Sequence, residues 1–178
     1  MTAGAAPEVP LDVVVVAYGD PATLGGALAA LEGRYPVTVV DNSSSPATAA
    51  VVRGAGAAYV DPGANLGFPA AVNVALAARP DPGGDVLLLN PDARIDPATL
   101  GRLHAELRAR PRAACVAPVL RGAGSAPSPN RWPWHTPAGA WAEALGLARL
   151  RLRSRRFFLG GAVLVVRGEA LAEVGPLD

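Results

Sequence analysis

The chain has a single cysteine, no lysine, and no strongly apolar run longer than about seven residues. One thiol, Cys115, excludes an intramolecular disulfide. It lies in Ala113-Ala114-Cys115-Val116-Ala117, which reads as a buried strand with a structural thiol. A reducing compartment is compatible with this and not required. A bilayer span needs roughly 20 apolar residues in sequence, so no run here is long enough. Met1–Pro10 carries Glu8 and no basic segment ahead of an apolar one, so it is expected to be a flexible N-terminus and not a secretory leader. An excess of charge is also missing. The net charge is +1, which gives no global field to attract nucleic acid. All 16 basic residues are arginine, and with the abundance of alanine, glycine and proline this reads as codon bias of a GC-rich genome.

What is present is enough for a folded domain. The 178 residues are 51% hydrophobic and 17% charged. A chain of this length can bury about 70% of its unfolded surface, and the composition is not that of a disordered chain. Apolar runs alternate with Ala/Leu-rich helical segments. Strands are expected at Leu11–Ala17, Val37–Val40, Ala57–Val60, Val86–Leu89, Ala114–Val119 and Phe157–Val166. Helices are expected at Pro21–Leu31, Pro46–Arg53, Pro69–Ala78, Pro97–Arg110, Pro137–Leu150 and Gly168–Val174. Asp20 and Asp96 are candidate helix caps, each followed by proline at the first helical position. Gly54 is a candidate stop. Leu100, Leu103 and Leu107 share one helical face, with His104 flanking it as an expected surface residue. Such alternation implies βαβ units, a mostly parallel sheet and a three-layer α/β/α class.

Four polar clusters fall at the carboxyl ends of expected strands. They are Tyr18-Gly19-Asp20, Asp41-Asn42-Ser43, Asp61 through Phe68, and Asn90-Pro91-Asp92. Any one of them could be ordinary turn chemistry. Four converging on one edge of one sheet point to a ligand site, because open parallel sheets bind ligands beyond their carboxyl ends. The most informative stretch is Val86-Leu87-Leu88-Leu89-Asn90-Pro91-Asp92, a buried strand ending in an amide, a proline and a carboxylate. That arrangement suits a hard cation carrying a phosphate-bearing substrate. The turn after the first strand has no G-x-G-x-x-G, and no G-x-x-x-x-G-K-[ST] loop occurs, so dinucleotide and P-loop sites are not indicated.

Val13-Val14-Val15-Val16-Ala17-Tyr18, Val39-Val40-Asp41-Asn42-Ser43-Ser44, Asn65-Leu66-Gly67-Phe68 with Asn73, and Leu88-Leu89-Asn90-Pro91-Asp92 together resemble successive blocks of family 2 glycosyltransferases. The resemblance is to the bacterial rhamnosyltransferase-like branch, in which N-x-D stands for D-x-D. Phe158-Leu159-Gly160-Gly161-Ala162 and Gly175-Pro176-Leu177-Asp178 resemble its acceptor-side blocks. The likeness runs over nearly all of Leu11–Asp178, read as one domain whose C-terminal part is missing.

The resemblance implies a GT-A fold and transfer of a sugar, with rhamnose the candidate, from a nucleotide-diphosphate donor to a cell-envelope glycan or lipid-linked acceptor. It implies a donor pocket bordered by Ala17, Tyr18, Gly19, Asn65, Gly67, Phe68, Asn73 and Asn90, with Asp41 at the nucleotide base. It implies Asp92 as ligand to Mg²⁺ or Mn²⁺, which acts as Lewis acid toward the leaving diphosphate. Gly160 and Gly161 fall on the acceptor side. The family's base lies in an acidic E-D motif beyond the position of Asp178, and Gly19 departs from the usual Tyr-Asn pair. A non-catalytic nucleotide-sugar-binding module is therefore the alternative, and an unrelated doubly wound domain, an oxidoreductase or regulatory protein, is a further one.

Trp132, Trp134 and His135 suit an aromatic acceptor platform or plain loop packing. The dense run Arg149, Arg151, Arg153, Arg155 and Arg156 suits a solvated face or contact with acidic lipid head groups, with Trp141, Leu145 and Ala148 on one side of the helix before it. Together these imply a cytoplasmic protein peripheral at the inner face of the plasma membrane, with no nucleic-acid partner.

Overall fold

The structure is a computed structural model that describes residues 9–122, 126–134, 136–137, 141, 144–146 and 157–178. These fall into two units, one of residues 9–116 with 161–178 and one of the described residues between 117 and 160. In the first unit the order is β1 (Leu11–Ala17), α1 (Pro21–Ala30), β2 (Val37–Asp41), α2 (Pro46–Gly54), β3 (Ala58–Val60), α3 (Phe68–Ala78), β4 (Asp85–Leu89), α4 (Pro97–Arg108) and β5 (Cys115–Val116). The second unit holds β6 (Val119–Leu120), β7 (Ser128–Pro129), β8 (Arg131–Pro133) and β9 (Phe157–Leu159). The chain then returns to the first unit with β10 (Val163–Val166) and α5 (Gly168–Val174).

Six strands form one sheet in the order β3-β2-β1-β4-β10-β5. β1 lies parallel to β2 and β4, and β2 parallel to β3, while β10 runs antiparallel to both β4 and β5. A mixed sheet whose parallel part is fed by helices is the α/β architecture expected. Val13, Val15, Val39, Leu87 and Val165 have no exposed surface, as befits strands covered on both faces.

Three helices start alike. In Asp20-Pro21-Ala22-Thr23, Ser45-Pro46-Ala47-Thr48 and Asp96-Pro97-Ala98-Thr99 the first residue caps through its side chain and proline follows. Proline at the start loses nothing, because its missing N–H would have no intrahelical partner there. α3 and α5 lack a side-chain cap, and of the two it is α3 that starts at the carboxyl edge of the sheet. Its cap is Gly67, with φ 74° and no side-chain hydrogen bond.

Several expectations need correction. The strand expected over Ala114–Val119 is two short ones, because Pro118 has no N–H and restricts Ala117 before it. The strand expected over Phe157–Val166 breaks at Gly160–Ala162. Gly54 remains inside α2, and the left-handed residue beyond it is Gly56 at φ 70°. Cys115 is half-buried, and that burial raises its thiol pKa.

His104 is not a surface residue. Its Nε2 lies 2.9 Å from Oδ2 of Asp85, a carboxylate 1% exposed at the head of β4. The same carboxylate accepts from the main-chain N–H of Gly168 at 2.9 Å and from Arg108 at 3.4 Å. On that amino-terminal edge Arg79 lies 3.9 Å from buried Asp12 and donates to the carbonyls of Leu76, Pro82 and Gly84. Arg167 donates to the carbonyls of Leu107, Arg110 and Ala113, closing the end of α4.

Most of Pro137–Leu150, His135, Ala148 and the run Arg149–Arg156 lie outside the described residues.

Candidate functional site at the carboxyl edge of the sheet

Because β1 to β4 are parallel, their carboxyl ends share one edge. Ala17 stands beside Asp41, Val40 beside Val60, and Val15 beside Leu89. The structure thus brings all four sequence clusters to one side of the first unit.

The turn after β2 is the most heavily bonded part of this edge. Asp41 has no exposed surface. Its Oδ1 accepts from the Ser43 N–H at 2.9 Å and the Ser43 hydroxyl at 2.5 Å. Its Oδ2 accepts from the Ser45 N–H at 2.8 Å and the Tyr59 hydroxyl at 3.1 Å. A carboxylate offers about four acceptor sites, so all are taken. Burial pushes the Asp41 pKa up, and the bonds from Ser43, Ser45 and Tyr59 outweigh it, holding the carboxyl below its ordinary value. A base could meet this carboxylate only by displacing one of those donors. In this structure Asp41 builds the turn.

Asn42, which in the sequence stands out only as part of the Asp41-Asn42-Ser43 cluster, reaches across to the next cluster. Its Nδ2 donates to the Gly67 carbonyl at 3.2 Å and its Oδ1 accepts from the Leu66 N–H at 3.4 Å. Ser44 donates to Asp61 at 2.7 Å, tying down the start of the same loop. Asn65 accepts from the Gly67 N–H at 3.0 Å, a local turn that leads into α3. The first N–H groups of a helix have no intrahelical partner, and α3 lacks a side-chain cap. Its amino-terminus is therefore open to an anion.

At the end of β4 the Asn90 N–H is held by the Ala162 carbonyl at 2.9 Å, and Ala93 closes a turn onto the Asn90 carbonyl at 3.0 Å. Asp92 is exposed, and among the described residues neither its carboxylate nor the Asn90 carboxamide takes part in a hydrogen bond or ion pair. These are free ligand groups on an edge where the side chains of Asp41, Asn42, Ser44, Asp61 and Asn65 are engaged. No cluster of three or more His, Cys, Asp or Glu occurs among the described residues. One free carboxylate does not make an all-protein cage. It does fit a divalent cation whose remaining ligands are diphosphate oxygens and waters.

The other expected residues are placed as follows. Tyr18 is 68% exposed beyond β1, and Gly19 is left-handed at φ 97°. Phe68 is exposed at the start of α3. Asn73 is committed elsewhere, since its carboxamide donates to the Leu177 carbonyl at 2.8 Å and accepts from the Leu177 N–H at 2.9 Å. It anchors Gly175-Pro176-Leu177-Asp178 to α3.

Gly160 belongs to the second unit, where Asn130 donates to its carbonyl at 2.9 Å and leaves no room for a Cβ. Gly161 belongs to the first unit. Within the second unit Trp132, Trp134, Phe157 and Phe158 are all exposed, with Trp134 edge-on to Phe158 at 6.4 Å.

A cavity of about 700 Å³ opens at the opposite, amino-terminal edge, lined by residues that include Leu11, Tyr35, His104 and Arg108. Volume and free ligand groups thus do not coincide. The carboxyl edge is preferred because Asp92 and Asn90 are free there, whereas Arg108 and His104 are already paired with Asp85.

Residues 12–166 match the family described as glycosyl transferase family 2. The chain is 31% identical, over 94% of its length, to an N-acetylglucosaminyl-diphospho-decaprenol L-rhamnosyltransferase of Mycobacterium tuberculosis (strain H37Rv), and it spans 64% of that protein. It also resembles the glucosyl-3-phosphoglycerate synthase of M. tuberculosis solved in complex with uridine diphosphate. There the TM-score is 0.60 at 18% identity, over 90% of this chain and 57% of that one. The same synthase solved with Mn²⁺, uridine diphosphate and glucosyl-3-phosphoglycerate gives 0.58. At such identity the structural likeness speaks for the fold.

Proposed function

The chain belongs to glycosyl transferase family 2 and has the GT-A fold, and from that premise we propose that it forms the donor-binding portion of an inverting glycosyltransferase. The donor is a nucleotide-diphosphate sugar, with rhamnose the candidate sugar. The acceptor is a cell-envelope glycan or a lipid-linked saccharide, which the name of the mycobacterial relative supports.

The single observation that carries the reading is the free Asp92 carboxylate beside Asn90 on the sheet edge that also holds the uncapped start of α3. Asp92 would hold a Mg²⁺ or Mn²⁺ ion together with the diphosphate. The bound ion would neutralise charge on the departing diphosphate. Asn90 is uncharged, so this corner has one negative charge fewer than a two-carboxylate site, and the diphosphate must supply more of the ion's shell. The Asn65–Phe68 loop and the amino-terminus of α3 would face the diphosphate, whose charge that helix end favours. Tyr18 and Gly19 would border the nucleotide. Gly160 and Gly161 would lie on the acceptor side. No described residue is assigned as the catalytic base.

Among the described residues no helix is long and apolar enough to cross a membrane. A cytoplasmic site of action, with Arg149–Arg156 meeting acidic head groups at the inner face of the membrane, is part of the proposal and is supported by the charge pattern alone.

The test is titration calorimetry with uridine and thymidine diphosphates, with and without Mn²⁺. Asp92→Ala is expected to abolish the Mn²⁺-dependent part of binding. An unchanged Mn²⁺ dependence in Asp92→Ala would sink the assignment. Binding without any sugar transfer by the full-length protein would instead favour a non-catalytic nucleotide-sugar-binding module.

A further inference from the structure

We infer that Asn42 is a positioning residue whose carboxamide sets the Asn65–Phe68 loop, and with it the start of α3, in the orientation that receives the donor's diphosphate. What the loop binds rests on the proposed function above. What Asn42 holds rests on hydrogen bonds alone.

The loop has little else to hold it. Residues 63–68 are all exposed, Leu66 at 38% and Phe68 at 43%, so no fully buried apolar side chain fixes their path. Ser44 grips the loop at Asp61, and Asn65 bonds only within the loop. Among the described residues, the one side chain from the sheet that reaches positions 66 and 67 is Asn42. It does so at two points, giving to the Gly67 carbonyl and taking from the Leu66 N–H, as a neighbouring strand would.

Asn42 is itself rigid. It is 6% exposed, and its own N–H is held by the Ala17 carbonyl at 2.9 Å. The Asp41 carboxylate fixes the turn on its other side through Ser43 and Ser45. The orientation of the loop is thus referred back to the ends of β1 and β2.

The consequence lies at Gly67. Its carbonyl accepts from Asn42 and also from the Ala71 N–H at 3.3 Å, the first turn of α3. Gly67 sits at φ 74° and supplies no side-chain cap. The direction of the open N–H groups of α3 therefore follows from where this one peptide is held. A charged aspartate at position 42 could still accept from Leu66, but it would set an oxygen against the Gly67 carbonyl. Both donor and acceptor are needed, which is why an amide suits the place.

The test compares Asn42→Ala, Asn42→Asp and Leu107→Val with the unsubstituted chain. Leu107 is buried in the last turn of α4, where its carbonyl accepts from Arg167, so its variant serves as the control for loss of stability. Amide hydrogen exchange without ligand is expected to quicken at Leu66 in Asn42→Ala and to stay unchanged in Leu107→Val. The affinity for uridine or thymidine diphosphate with Mn²⁺ is expected to fall about tenfold in Asn42→Ala, the equivalent of about 1.4 kcal/mol. Asn42→Asp should retain much of the Leu66 protection and still lose diphosphate affinity. It also serves if the alanine variant does not fold.

Unchanged Leu66 exchange in Asn42→Ala overturns the clamp. Quickened exchange with unchanged diphosphate affinity overturns the positioning role. If the unsubstituted chain binds neither diphosphate, the donor reading itself fails. Binding by the unsubstituted chain and equally by Asn42→Ala sinks only the inference about Asn42.

Discussion

Asp41 and Asp12 are both buried carboxylates on the same sheet, and their environments push them in opposite directions. At Asp41 burial raises the pKa, but four donors more than offset it and the folded value lies below the ordinary 3.8. At Asp12 burial again raises the pKa. Arg79 at 3.9 Å opposes it without prevailing, and Oδ2 has no hydrogen-bond partner. The sign follows. A depressed carboxyl adds stability above its unfolded pKa, and that stability is lost as pH falls through the folded value. Asp41 thus favours the folded state above about pH 4 and ceases to do so in stronger acid, whereas ionised Asp12 disfavours it. Tyr59→Phe deletes one donor to Asp41. It should cost about 1.5–3 kcal/mol at pH 7, as expected for a hydrogen bond to a charged group, and less at pH 3. Urea denaturation at the two pH values measures this. Equal losses at both would show that the bond does not depend on the charge of Asp41.

At the scale of elements, the amino ends of β4 and α5 meet at a point too tight for any side chain. A Cβ on Gly168 would overlap the Gly83 and Gly84 carbonyl oxygens, and the Gly168 N–H is spent on Asp85. Gly101, inside α4, has only the Tyr35 hydroxyl at 3.9 Å to meet. Two Gly→Ala changes should therefore differ in sign. Gly168→Ala should destabilise by about 1–3 kcal/mol through overpacking. Gly101→Ala should stabilise by up to about 1 kcal/mol through helix propensity. Thermal unfolding of both variants decides it, and stabilisation by Gly168→Ala would show that the Gly83–Gly84 backbone gives way at no cost.

The same elements show what the sequence could and could not reveal. Capped, proline-led helices and largely apolar strands were legible, because those signals are local. So was the convergence of Asp41, Asn65, Asn90 and Asp92 on one edge, which follows from parallel topology. His104, Asp85 and Arg167 were not. Whether a polar residue at the rim of an apolar face meets water or a partner depends on elements far away in the chain. Asn42 was hidden for a related reason. Beside Asp41 it looks like one more turn residue, and only its reach to Leu66 and Gly67 sets it apart. The break at Pro118 was legible in principle, since a proline within a strand is a local signal.

At the scale of the whole molecule, the first unit is discontinuous in sequence. β10 arrives after the second unit and lies between β4 and β5, pairing Val163–Val166 with Leu89–Val86 and Val165 with Val116. Val163 and Val165 are buried in the core, and Gly168 satisfies the buried Asp85 carboxylate. Asn73 on α3 is paired with Leu177. Residues 161–178 are therefore central to the sheet despite coming last. Removing them would strip β5 of its partner and leave one edge of β4 unpaired and apolar, a template for aggregation. The antiparallel register sets β10 alongside β5, so the gap left by residues 117–160 is short, about four residues at 3.3 Å each along the strand. Two truncations should thus behave oppositely. A chain ending at Gly160 should lose cooperative unfolding and aggregate, although it is missing only the last 18 of 178 residues. A chain in which a flexible linker of about six residues replaces positions 117–160 should keep a single cooperative transition, though it lacks more than twice as many residues. Circular dichroism melts and size-exclusion chromatography of the two would decide. If the shorter deletion folds and the longer one does not, the second unit, and not β10, completes the sheet.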